Sequence, residues 1–189
     1  MAALRKRGSR ALLIIVLLLM FIAIVVAVFA LVKRRPPEET VPQVEQPAEG
    51  EVGTKAALLY FGAPDGSELI ETTREIMASS EPSALLASVV RELVAGPSEG
   101  GVAVIPAGTK LRSAYVEGGR AYLDFSQELK SEFPGGSMQE FVLLASIVRT
   151  VSANFADVRY VQILVEGASV ESVGGHYDTA EPLDAADWQ

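Results

Sequence analysis

Apolar positions fall along this chain in three different rhythms. Residues 11–32, ALLIIVLLLMFIAIVVAVFALV, are uninterrupted by any charge. As a helix rising about 1.5 Å per residue they span roughly 30 Å, the thickness of a bilayer's hydrocarbon core. The run predicts an uncleaved transmembrane helix. The competing reading is a secretory leader, whose apolar stretch is about 7–15 residues and ends at a small-residue cleavage site. Val28-Phe29-Ala30-Leu31-Val32, followed by Lys33-Arg34-Arg35, offers a poor one.

Beyond residue 53 the rhythm shortens. Ala56–Gly62 is a compact apolar run ending in the turn signal Ala63-Pro64-Asp65-Gly66, which predicts a buried strand. Residues 67–76 alternate weakly and predict a second strand. A helix follows over 81–95: Ser80 stands at the N-cap, Pro82 in the first turn, and Leu86, Val89, Val90, Leu93 and Val94 share one face. Gly96-Pro97 stops it. Leu111–Glu117 and Arg120–Phe125, joined by Gly118-Gly119, predict a β-hairpin. Ser137 with Glu140 reads as a capping box opening a second helix over Met138–Phe155. Its main apolar face is Phe141, Leu144, Ala145, Val148, Val151 and Phe155, widened by Val142, Leu143 and Ile147. Tyr160–Val165 is β-rich and closes at Glu166-Gly167; the tail beyond Gly174 is polar apart from Tyr177, Leu183 and Trp188. The order β-β-α-β-β-α-β predicts an α+β fold, with two helices packed on one face of a mixed β-sheet.

Charge divides the chain into four parts. Arg5, Lys6, Arg7 and Arg10 make residues 1–10 a basic tail against three basic residues after the span, a bias that puts the N-terminus in the cytoplasm and the rest outside. Residues 33–53, with Pro36, Pro37, Pro42, Pro47 and five glutamates, cannot bury a core and read as a semi-extended linker. Residues 54–189 form one domain of ordinary size. It holds nine Lys/Arg against nineteen Asp/Glu, net −10. So acidic a domain is repelled by nucleic acid, which is excluded as a partner. The chain has no cysteine, hence no lipid-anchoring thiol.

Candidate chemistry is sparse. The single histidine, His176, lies in Gly-Gly-His-Tyr-Asp and reads as a surface-loop residue; with Asp178 alone it makes too few ligands for a closed metal site. No phosphate-cradling glycine pattern is present. Glu128 and Glu132 could flank a glycosidic bond but fit a solvated face better. Asp124 and Ser126, at a strand's end, could bind something, yet turn-making explains them as well. The expectation is no catalytic residue, no metal and no cofactor.

Several pieces stand in a familiar order: Leu59-Tyr60-Phe61; Leu93-Val94-Ala95-Gly96-Pro97; Ile105-Pro106-Ala107-Gly108-Thr109; Leu123-Asp124-Phe125-Ser126; Ile147-Val148-Arg149-Thr150-Val151; Val161–Gly167; and Gly175-His176-Tyr177-Asp178. Over about residues 56–180 the chain resembles the GerMN domain family of bacterial envelope proteins, linked to sporulation and spore germination. The resemblance implies a fold close to the ring-building modules of secretion machines, a place outside the cytoplasmic membrane, and no known catalytic activity. It makes Gly96, Pro97, Pro106, Gly108, Thr109, Asp124, Ser126, Thr150 and Gly167 a structural signature. The family's namesake carries two domain copies and a lipid anchor, where this chain carries one copy and an apolar span. The expected role is a membrane-tethered assembly module contacting envelope proteins or its own copies. The alternative is a ligand-binding or regulatory module that senses wall fragments or modulates a neighbouring membrane protein.

Overall fold

A computed structural model describes residues 19–21, 53–66 and 68–188. The expected span over 11–32 lies outside the described residues except for Leu19, Met20 and Phe21, which are helical and exposed. Among the described residues no helix is long and apolar enough to cross a membrane. The basic tail and the body of the linker also lie outside them.

The folded unit runs β1 (Thr54–Gly62), β2 (Leu69–Met77), α1 (Pro82–Ala95), β3 (Leu111–Glu117), β4 (Arg120–Phe125), α2 (Glu128–Ser131), α3 (Ser137–Asn154), β5 (Tyr160–Val165), β6 (Ala168–Ser169) and β7 (Leu183–Asp184), then a 3-10 turn, Ala185–Trp188. The predicted order holds, with α2, β6, β7 and the 3-10 turn added. The single mixed sheet does not form. β1 and β2 pair as a separate antiparallel ribbon, while β3, β4, β5 and β6 lie side by side with β7 also on β5. β4 and β5 run parallel, Arg120 beside Tyr160 and Phe125 beside Val165, because α2 and α3 carry the chain back between them.

The sheet is split in two because β1's outer edge meets a helix instead of a strand. Ser146, Thr150 and Asn154 stand one turn apart on α3. Asn154 Oδ1 accepts from Leu58 N at 3.0 Å and its Nδ2 donates to Leu58 O at 2.7 Å. Thr150 Oγ1 accepts from Tyr60 N at 3.1 Å, and Ser146 Oγ donates to Tyr60 O at 2.6 Å. Gly62 exchanges both backbone bonds with Val102. A polar stripe thus satisfies the strand edge that a neighbouring strand would otherwise take. Arg149 lies over the Tyr60 ring, 4.6 Å from its centroid.

On the ribbon's other strand, Arg74 ties β2 to the end of α1. It donates to Glu92 O at 3.2 Å and Gly96 O at 2.9 Å and pairs with the Glu92 carboxylate at 2.8 Å. A cation among a helix's last carbonyls satisfies groups that have no partner inside the helix. α1 is capped by Glu81 rather than Ser80: the Glu81 carboxylate accepts from Ala84 N. Those bonds, first from Ala84 N, hold its carboxyl below the ordinary range.

One core serves both sheets. Leu59 and Phe61 of β1, Leu86 and Val90 of α1, Leu123 and Phe125 of β4, Leu144, Ile147, Val148 and Val151 of α3, and Ile163 of β5 are buried together. Of the expected main face, Phe141 leaves the core at 38% exposed, while Phe155, just past the end of α3, packs against it partly buried.

Candidate functional site

The predicted capping box does not form. α3 begins after Gly136, with no side-chain cap. Ser137 is already helical, and Glu140 turns inward to become fully buried. An isolated buried carboxylate would cost several kcal/mol, so it needs donors on every side. The 172–176 loop supplies them. Gly174 N donates to Oε1 at 2.7 Å and Ser172 Oγ at 3.2 Å; His176 N reaches Oε2 at 2.8 Å, with the His176 Nδ1 at 3.0 Å from the same oxygen. Ser172 Oγ also accepts from Gly175 N. Burial pushes the Glu140 carboxyl's pKa up, but the bonds from Gly174, His176 and Ser172 outweigh it and hold the pKa below its ordinary value. Gly174 must be glycine for space: a Cβ there would lie 2.4 Å from the Phe133 ring and 2.9 Å from the Glu140 carboxylate.

This knot sets the surface beside it. Phe141 follows Glu140 and points outward; Tyr177 follows His176. Their ring centroids are 5.9 Å apart, and Trp188 from the 3-10 turn stacks on Phe141 at 5.4 Å and meets Tyr177 at 5.7 Å. Towards α3's start, exposed Met138 and half-buried Val142 border a cleft of about 210 Å³, walled opposite by Gly62, Ala63 and the Val102–Val104 stretch and closed by Phe133 and Pro134. Met138, Phe141 and Trp188 also line the next depression along the helix. Asp178, Glu181 and Asp187 stand around the aromatic end. The result is an apolar, partly aromatic strip along one helix face with acidic residues at one end.

His176 is therefore not a free loop residue. Its side chain is 42% exposed, yet Nδ1 is committed to Glu140. Nucleophilic catalysis would need a hydroxyl or thiol on the other ring nitrogen. Among the described residues no such bond is present, and Ser172 binds the carboxylate instead. Nor does any group of three or more His, Asp or Glu side chains come together among the described residues in a way that could hold a metal.

The signature residues fall in three separate places. Gly96 (φ 84°) caps α1 and gives its carbonyl to Arg74; Pro97 follows. Around the end of β4, the buried Asp124 carboxylate accepts from Gly167 N at 2.7 Å and pairs with Arg112 at 2.9 Å, pinning the β5–β6 turn in which Glu166 and Gly167 both have positive φ. Ser126 Oγ accepts from Lys110 N at 2.9 Å, and Pro106 O accepts from Thr109 N across a turn that needs Gly108 at φ 85°. Thr109 is buried. Thr150 seals β1. These residues position backbone. Glu128 is half-buried and Glu132 exposed.

Fold and site together define an α+β module with no assembled catalytic group among its described residues and an apolar, partly aromatic strip along α3. A family model described as Germane, sporulation and spore germination, matches residues 58–171, well over half of the 189-residue chain, so the chain belongs to this family. Among solved structures, a "Putative Lipoprotein from Clostridium perfringens" is 26% identical over 72% of this chain and 91% of its own, with TM-score 0.51. The tandem GerMN domains of the sporulation protein GerM from Bacillus subtilis are 27% identical, with TM-score 0.51; the match takes in 69% of this chain and 45% of that two-domain chain. The first GerMN domain of GerM alone matches over 69% of this chain and 98% of its own at TM-score 0.55 and 19% identity, a likeness of fold. No curated protein matches.

Proposed function

We propose that this chain is a membrane-tethered, non-enzymatic assembly module of the bacterial cell envelope, associated with sporulation or germination. In this reading residues 1–10 lie in the cytoplasm, 11–32 cross the membrane once, 33–53 space the domain from the surface, and 54–189 work outside the cytoplasm. The apolar run and its flanking charges support the anchor, and the clostridial relative's description as a lipoprotein fits a family member held at a membrane. The contact face is the α3 strip of Met138, Phe141 and Val142, backed by half-buried Tyr177 and buried Trp188, and its occupant is an envelope protein or a second copy.

The observation that carries the reading is the Glu140 knot: a fully buried carboxylate holds the loop that sets Tyr177 beside an outward-facing Phe141. An exposed aromatic ring fixed by a rigid support is what binding surfaces use. Tethering raises local concentration, so modest contacts suffice.

The test compares native complexes extracted from cells carrying wild type or Phe141→Ser, alongside the melting temperature of each protein. The reading expects a larger complex in wild type that is lost in a Phe141→Ser protein that still folds. An unchanged complex would overturn the assignment of the face.

A further inference from the structure

The β1–β2 ribbon closes one edge and leaves the other open. Leu58, Tyr60 and Gly62 of β1 turn their backbone groups towards α3 and Val102. Antiparallel pairing alternates, so Ala57, Leu59 and Phe61 bond across to β2, opposite Arg74, Thr72 and Ile70. The intervening residues Glu71, Thr73 and Glu75 therefore aim their N–H and C=O groups outward. Among the described residues no backbone or side-chain group meets them, and all three are exposed. β2 is nine residues long, and an open edge of that length is a template for another strand.

The charges select the occupant. Glu71 and Glu75 project on one face, two residues either side of Thr73, and the Tyr60 hydroxyl fixes Glu71 by donating to Oε2 at 2.6 Å. A second copy pairing antiparallel about Thr73 would set Glu71 opposite Glu75 twice, and like charges directly opposite destabilise a sheet. A segment with Lys or Arg at alternate positions would meet both carboxylates. We infer that the outer edge of β2 accepts an extended, basic segment of a partner protein as an added strand, its backbone bonding to Glu71, Thr73 and Glu75 while alternate cationic side chains pair with Glu71 and Glu75. Main-chain bonds supply the affinity and the alternate side chains the selectivity. This surface is distinct from the α3 strip and stands independently of it.

The full chain in detergent micelles is titrated with three nine-residue peptides: alternating Lys and Thr, alternating Glu and Thr, and the Lys–Thr peptide N-methylated throughout, which keeps its charge but donates no backbone bond. Hydrogen exchange at Thr73 is followed in parallel. The Lys–Thr peptide is expected to bind at least tenfold tighter than either control and to slow Thr73 exchange at least tenfold. Glu71→Lys with Glu75→Lys should reverse the preference towards the Glu–Thr peptide. Equal binding by the N-methylated peptide, unchanged Thr73 exchange, or a preference indifferent to the double substitution would overturn the inference. So would a Thr73 amide already protected without peptide by pairing between copies.

Discussion

Replacing Glu140 by glutamine keeps the shape of the buried side chain and removes its charge. Whichever way the amide sits, its NH₂ faces donors: Gly174 N–H and the Ser172 hydroxyl on one side, or His176 N–H and its ring on the other. At least one backbone N–H loses its acceptor, at about 1–3 kcal/mol, and the bonds that remain lose their charge assistance. The lower cost of burying a neutral amide offsets part of this. The expected net loss is about 2–4 kcal/mol at pH 7, a melting temperature lower by roughly 10 °C for a domain of this size. Trp188, the chain's single tryptophan, stacks on Phe141 next to the knot, so its fluorescence during urea unfolding reports the site directly. The pH dependence is a second readout. The folded-state pKa of Glu140 lies below its ordinary 4.5, so its contribution is complete above about pH 5 and is lost as pH falls through the folded value. The gap between wild type and Glu140→Gln should therefore narrow on acidification below pH 4.5. A glutamine variant within 0.5 kcal/mol of wild type at pH 7, a tolerance set by typical surface substitutions at about ±0.5 kcal/mol, would refute the claim that the knot holds the loop.

Other consequences follow from the same geometry. Asn154→Leu strips both bonds from Leu58 and should cost about 2–4 kcal/mol in urea unfolding, while Thr150→Val, which strips one, should cost about 1–2. Equal and negligible losses would show that the β1 edge needs no seal. Val148 is fully buried, so Val148→Asp places an unpaired charge in the core and should cost more than about 4 kcal/mol, a large part of a typical 5–15. Melting within a degree or two of wild type would show that the α3 face is wrongly assigned. Protease added to intact spheroplasts should remove the domain; protection until lysis would reverse the proposed orientation.

The sequence made the elements readable because each depends on local rules. Gly118-Gly119 between alternating runs specified the β3–β4 hairpin, and Gly96-Pro97 the end of α1. What stayed hidden depended on partners far along the chain. Glu140 satisfied the Ser-x-x-Glu pattern, yet its donors lie 32–36 residues away, and the pattern cannot distinguish a cap from a buried anion. Gly135-Gly136 ahead of Ser137 offered a different start for α3. The division into two sheets had one visible sign, Ser146, Thr150 and Asn154 at four-residue spacing in a helix apolar on most sides; polar residues there imply a buried polar partner. Arg74's role at the end of α1 left no local trace, nor did the parallel register of β4 and β5. Of the nine signature residues, Gly96 was legible as a helix stop and Gly167 as a strand end, but the bond from Gly167 to Asp124 required the tertiary fold.

The central claim is that the α3 face meets a protein partner at the membrane. Site-specific photo-crosslinking in the native host tests it most directly, with the photoreactive residue at Met138, which is 60% exposed on that face, and a control at exposed Glu117 of β3. A discrete adduct from position 138, absent from position 117 and abolished by Phe141→Ser in a protein that still folds, is the predicted result. No adduct from 138, or the same adduct from both positions, would contradict the account.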